Sequence, residues 1–307
     1  MAVAWPPILV RYGEIGIKSP QVRAQFERKL VARIEEQLVK RGVEAEVRRE
    51  WGRMMLRASD VEGALDALRH TFGVVSASPA VECAATPEAV AAEVLEVARS
   101  RLAHGQSFAV RVKRSGTHPF TSLDVAKACA ERILTDLKDR APRVDLDEPD
   151  VEARVEVREG RAFVFTRTER GPGGLPLGSQ GRVAVLVDAP RAAHAAWLMG
   201  KRGAALYFFA HDEAAAAAWL RPLEPWVSEV RLRPLRASTR GEMLQELAPH
   251  MAEHRCHALV VADGLDAQLA SRDLDALAGV PVFRPLVGYP GNLFRDLARK
   301  AELPEDA

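Results

Sequence analysis

Cysteine is scarce: Cys83, Cys129 and Cys256 are the whole supply. Odd in number and far apart, they exclude a disulfide framework and offer no metal-ligand spacing. Each reads as a small buried hydrophobe, Cys129 on the apolar face of a helix, Cys83 and Cys256 at strand starts. The eight histidines add no HxxxH or similar pattern, so no metal site is expected. No apolar run is long enough to cross a membrane, and the opening MAVAWPPILVRYGE lacks a signal-peptide pattern. A cytoplasmic protein without a membrane partner is the expectation. Net charge is nearly missing too, at +1, and on its own says nothing about a polyanionic partner.

What is present suits two or three modules: 307 residues, 48% hydrophobic and 28% charged. Charge is unevenly spread. From Arg11 to Arg57 there are twelve Lys or Arg against seven Glu, an excess of five, enough for a basic face and too little for a nucleic-acid tail.

Hydrophobic period and breakers predict an α+β first half. A strand from Ile8 to Tyr12 leads to a helix from Gln21 to Arg41 with Phe26, Leu30, Ile34 and Leu38 on one face. Strands Glu44–Glu50 and Met54–Ala58, a helix Val61–Thr71 and a strand around Val74–Ala77 complete a βαββαβ, ferredoxin-like order. A helix over Thr86–Ala103, a strand Ser107–Lys113, a helix Leu123–Leu137 capped by Ser122, and strands Asp150–Val157 and Ala162–Arg170 follow. The acidic, Pro-punctuated Asp139–Glu152 suits a surface loop. GPGGLPLGSQG, Gly171–Gly181, marks a boundary.

Beyond it the pattern turns to five βα units, an open parallel α/β sheet. The strands are Val183–Val187, Ala204–Phe209, Val227–Pro234, Ala258–Ala262 and Val280–Leu286. The helices are Arg191–Lys201, Glu213–Leu220, Arg240–His254, Asp266–Leu277 and Asn292–Ala301. The expected division is 1–77, 78–170, a linker 171–181, and 182–307.

The first of these units, Gly181–Gly203, has the strand–turn–helix layout on which nucleotide phosphates are caught, without the chemistry that catches them. A phosphate turn needs N–H donors, small residues and no negative charge. Val187 offers no hydroxyl, Asp188 adds a negative charge and Pro190 removes a donor; Ala189 and Ala192 complete the degenerate loop. Asp188 as a cap and Pro190 in a first turn suit a structural helix start. Arg191 is unfavourable at a helix N-terminus unless an anion meets it there.

GPGGLPLGSQGRVAVL followed by AAWLMGKRG resembles the entry to the catalytic domain of the tRNA 4-thiouridine synthetase family, sulfurtransferases of the PP-loop ATP pyrophosphatase type. That family carries S-G-G-x-D-S-P where this chain has Val187 to Ala193. LVRYGEIGIKSPQVRAQFERKL resembles the family's N-terminal ferredoxin-like domain. RVKRSGTHPFTSLDVAKACAERIL resembles the THUMP module, which in the family holds the 3′ end of the tRNA acceptor stem. The resemblance implies tRNA as partner and a possible homodimer. Backbone phosphates call for fixed Lys or Arg, and an exposed end for His or aromatic side chains. The RNA-contacting candidates are Lys18, Arg23, Arg111, Lys113, Arg114, His118, Arg167 and Arg170. For Lys18, Arg23 and Lys29 a solvated helix face competes with RNA contact, and Phe120 reads as core ahead of stacking platform.

The family's reaction, as the resemblance implies it, adenylates a tRNA uridine with ATP and delivers sulfur from a cysteine persulfide. That cysteine precedes a C-x-x-x-M helix start. Here the stretch is Ser238 to Met243, with Thr239 in the cysteine's place, and a hydroxyl forms no persulfide. At the fourth strand's end the family reads T-G-E-S-x-G-Q-V-A-S, whereas this chain has Ala262, Asp263, Gly264, Leu265, Asp266, Ala267, Gln268, Leu269, Ala270 and Ser271. No rhodanese domain, which some members append, is expected by Ala307. Changes at three chemically linked places lead to the expectation of a non-catalytic tRNA-binding protein. It would have no catalytic residues and no cofactor, and could act beside a separate catalytic or sulfur-carrier protein. The alternative is an active ATP-dependent tRNA sulfurtransferase, using ATP and magnesium, Arg191 as phosphate ligand and an external persulfide donor.

Overall fold

The computed structural model describes residues 5–50, 52–265 and 278–305. The first half begins with β1 (Pro7–Tyr12), α1 (Pro20–Lys40), β2 (Ala45–Glu50), β3 (Arg53–Ala58), α2 (Val61–Arg69) and β4 (Val74–Pro79), the predicted βαββαβ order. Phe26, Leu30, Ile34 and Leu38 are all buried, so the four-residue stripe of α1 is its core face. Gly42, at φ +67°, supplies the left-handed turn beyond the helix.

A second set of elements comprises β5 (Val81–Ala84), α3 (Pro87–Arg101), β6 (Ser107–Ser115), α4 (Ser122–Asp136), β7 (Arg143–Val144), β8 (Val151–Arg158) and β9 (Arg161–Phe165), with strand order β5-β9-β8-β6-β7. Thr86 caps α3, accepting from the Ala89 amide. The cap of α4 is Thr121, where Ser122 was expected. A capping box needs an acidic or amide side chain three residues on; Asp124 meets Thr121 in that register, whereas Ser122 would face Val125. Val90, Val94, Val125, Cys129 and Ile133 from the two helices pack on Phe108, Val155 and Val157 of the sheet.

The strand expected over Ala162–Arg170 is two strands. After β9 the chain leaves this sheet, and β10 (Glu169–Arg170) becomes the edge of the first, whose order is β10-β4-β1-β3-β2. Gly171 makes that possible: a Cβ there would lie 2.4 Å from the Val74 carbonyl oxygen.

The remaining elements are β11 (Arg182–Leu186), α5 (Ala192–Lys201), β12 (Ala205–Ala210), α6 (Glu213–Leu220), β13 (Leu232–Pro234), α7 (Arg240–Glu253), β14 (Ala258–Val260), β15 (Val282–Phe283) and α8 (Asn292–Ala301). The sheet β13-β12-β11-β14-β15 is parallel throughout, as predicted. Central β11 is buried on both faces, Val183 and Val185 toward one core, Ala184 and Leu186 toward the other. β13 and β15 are shorter than expected: residues 227–231 stay outside the ladder, and after β15 Pro285 opens a 3-10 segment at Pro285–Gly288. The expected helix Asp266–Leu277 lies outside the described residues.

The chain forms two compact units, one of residues 1–10, 55–61 and 77–169, the other of 11–54, 62–76 and 170–307. The second therefore joins α1 and α2 to the parallel sheet. Phe72 stacks on Trp226 at 5.3 Å and meets Trp197 edge-on at 5.6 Å. Lys40 Nζ donates to the carbonyls of Glu224 and Val227, and His70 Nε2 lies 3.2 Å from Glu302. Residues 171–181 are held along this unit: the Leu175 amide donates to Lys201 and the Gln180 amide to Gly203.

Candidate functional site

Amides on either side of the turn after β11 are paired within the protein. The Val187 amide donates to Phe209 at 2.8 Å, Ala192 to Ala189 at 3.0 Å, and His194 and Ala195 to Arg191 at 3.1 and 3.2 Å. Asp188 was expected to cap α5. It does not: Arg191 occupies the cap position and the helix has no side-chain cap. Asp188 instead faces Arg240 at 3.6 Å, and its carboxyl is held above the usual range, first by burial, with Arg240 pulling it down. The Arg191 guanidinium lies over the Phe294 ring at 4.6 Å.

Arg240 also meets Asp263 at 2.7 Å, and Asp263 meets Arg284 at 3.1 Å. The result is a chain of alternating charges, Asp188–Arg240–Asp263–Arg284, whose Asp263 is only 6% exposed. The sheet order explains the convergence. β11 and β14 are neighbours, with β12 on the far side of β11, so the crevice between their carboxyl ends is the topological switch point where open α/β sheets bind ligands. Asp188 follows one strand, Asp263 the other, and Arg240 opens α7 between them. The three altered segments of the sequence thus meet at one place. Arg240 and Arg284 were not anticipated as parts of it; nothing in their local sequence ties either to a carboxylate on another strand. Thr239, beside Arg240, donates its hydroxyl to Glu242 at 2.6 Å.

Two carboxylates, Asp188 and Asp263, thus stand at the crevice, each answered by a guanidinium, Arg240 for both and Arg284 for the second. Beside the turn, a cavity of about 800 Å³ is lined by Arg191, Leu286, Tyr289, Phe294 and Arg295 among others. Burial pushes all three thiols upward, Cys83 to about 11, Cys129 to about 12, and Cys256 in the same direction. Among the described residues there is no cluster of His, Cys, Asp and Glu that would hold a metal, and no helix long and apolar enough to cross a membrane.

The RNA-contacting candidates divide by partner. Arg111 is paired with Glu152 at 3.2 Å and Arg167 with Glu169 at 2.6 Å. Lys113 and Arg114, at the end of β6, are exposed. Phe108, Val110 and Val112 point to the helix-covered core, so by alternation Lys113 leaves from the open face and Arg114 continues the core-side row beyond the core. His118 stacks on Phe120 at 5.3 Å, its Nε2 3.0 Å from the Ser115 carbonyl. Phe120 packs against the core, as read from sequence. In the second unit Arg23 is bound to Glu27 at 3.0 Å and to Tyr12 at 3.1 Å. Lys18 closes the 3-10 turn Glu14–Ile17 through its amide, and Lys29 reaches the Gly178 carbonyl. Arg170 is exposed on β10.

Residues 7–78 match the ThiI ferredoxin-like domain and residues 84–167 the THUMP domain. A probable tRNA sulfurtransferase of Halobacterium salinarum is 34% identical over 339 aligned positions, covering 98% of this chain and 85% of that protein. One from Methanosarcina mazei is 30% identical, covering 95% and 82%. Among solved structures, a Pyrococcus horikoshii protein superposes with a TM-score of 0.84 at 25% identity, over 97% of this chain and all of that one. A 4-thiouridine synthetase solved with RNA and bound ATP shares the fold, with a TM-score of 0.73 at 22% identity over 96% of this chain and 85% of that chain.

Proposed function

The chain belongs to the tRNA sulfurtransferase family, and from that premise we propose that it is a tRNA-binding member whose last domain does not carry out the family's ATP-dependent step. The observation that carries this reading is the bridge Asp188–Arg240–Asp263 across the switch-point crevice. At the switch-point crevice the Arg240 guanidinium is already engaged by two carboxylates, which would compete with a nucleotide's phosphates for it. The thiols, all pushed upward by burial, support the same reading, since a persulfide carrier works as a thiolate. The protein would hold tRNA by its backbone and acceptor end and present it in the cytoplasm to a separate catalytic or sulfur-carrier protein.

Calorimetry of the full chain with ATP and magnesium tests this directly. We expect no binding heat at millimolar nucleotide; a micromolar Kd would overturn it. One observation favours the second reading, an active sulfurtransferase with an external persulfide donor: Arg191 and Arg295 line a cavity of about 800 Å³ beside the turn. The same titration separates the two.

A further inference from the structure

On the opposite side of the parallel sheet from the switch point, at the amino ends of β12 and β13, lies a second cavity of about 320 Å³. Its wall includes Arg33 from α1, Tyr207 from β12, and Ser228, Glu229, Arg231 and Arg233 from the segment leading into β13. The register pairs Phe209 with Arg233, so Arg233, Phe209 and Tyr207 project from one face of the sheet. The Arg233 guanidinium lies 4.8 Å from the Tyr207 ring centre and 5.7 Å from that of Phe209.

The charges of this wall are unequally matched. Arg231 is answered by Glu229 at 3.1 Å, and Arg33 by Glu36 at 2.7 Å, just outside the cavity. Arg233 has no carboxylate partner among the described residues: it donates to His254 Nε2 at 3.1 Å and to the Arg231 carbonyl at 3.2 Å. Arg182, 5.9 Å from the same Tyr207 ring, donates to the His254 carbonyl at 3.1 Å. Arg33 lines the same cavity, its guanidinium donating to the Ser228 hydroxyl at 3.4 Å. A guanidinium fixed on an aromatic face without a counter-charge is pre-oriented for one.

We propose that this cavity binds a phosphate group, held by Arg233 and Arg33. The shared chemistry fits two sources, a small phosphorylated compound and a phosphodiester of the RNA backbone. Only the second rests on the tRNA reading above. Tyr207 is already covered by Arg233 and by His254, stacked at 5.3 Å, so the site takes the charge of its ligand and has no free face to read a base.

The test uses the full chain, Arg233→Ala, Arg233→Lys and Arg33→Ala, each checked for folding by circular dichroism. One arm titrates inorganic phosphate and adenosine 5′-monophosphate by calorimetry; the other measures tRNA binding across salt concentrations. Removing one charge-assisted hydrogen bond should weaken binding about tenfold in Arg233→Ala, less in Arg233→Lys, which keeps the charge. A fall in the small-phosphate arm identifies a phosphorylated compound. A fall in the tRNA arm alone, with a shallower salt dependence, identifies the RNA backbone. Arg33→Ala carries the test if the Arg233 variants fail to fold. If folded variants match the parent in both arms, the proposal is wrong. If the parent binds phosphate but no tRNA, the cavity stands and the tRNA reading fails.

Discussion

Asp188 sits between two positive ends, the start of α5 and the guanidinium of Arg240, and it takes the second. A cap contributes about 1 kcal/mol, whereas an opposite charge near 4 Å is worth about 4 kcal/mol before desolvation at an effective dielectric of about 20. Removing the bridge should be felt. Arg240→Ala leaves the half-buried Asp188 without its counter-charge, while Asp263 keeps Arg284. We expect a loss of about 2 kcal/mol, below the usual cost of breaking a buried pair because the Arg240 side chain is 29% exposed. The pH dependence has a definite sign. The Asp188 carboxyl is raised in the folded protein, so the fold keeps a proton that the unfolded chain has released, and acidification relieves a penalty. That penalty is larger without Arg240. Urea denaturation at stepped pH should therefore show the gap between variant and parent narrowing as pH falls toward the ordinary carboxylate range; a gap that widens would contradict the bridge. Asp188, Pro190 and Thr239 are legible in the sequence as misfits to the resembling family's motifs. Their mutual contact is not, because it depends on strand order, which local sequence does not encode.

Among the elements, those with a stripe and a cap are read well. α1, α6 and α8 end within a residue of expectation, because Phe26, Leu30, Ile34 and Leu38 fix one face of α1 and Asp212 caps α6 through the Ala215 amide. Elements defined by a partner are read poorly: β10 exists only by pairing with β4, and β13 and β15 keep only the residues that pair with β12 and β14. The cap of α4 gives a test at this scale. Thr121→Ala should cost about 1 kcal/mol in urea unfolding, and Ser122→Ala only a few tenths; the reverse ranking would restore Ser122 as cap. Asp124, lowered by its bonds from Thr121, makes the box weaker in acid. A depressed carboxyl lends its stability above the ordinary carboxylate range and withdraws it as pH falls through the folded value.

At the scale of the molecule the basic surface is what tRNA would meet, and the ion pairs sort it. Arg111 and Arg167 already answer to carboxylates, so Lys113 and Arg114 should carry the larger share of binding. Lys113→Glu and Arg114→Glu should weaken binding about equally across tRNA species. Each should also flatten the slope of log affinity against log salt by about one unit for every phosphate no longer neutralised, read by filter binding. Unchanged affinity at every salt concentration would move the site elsewhere. The family and the layer architecture are legible from end to end. The grouping of α1 and α2 with the parallel sheet is not, since it rests on Phe72 entering a core built by Trp197, Trp226 and their neighbours. That insertion gives the last domain a mechanical duty independent of any nucleotide. Its apolar face is the floor on which the N-terminal helices stand, so a chain could surrender the turn at Asp188 to Arg191 and still be unable to surrender the sheet beneath it.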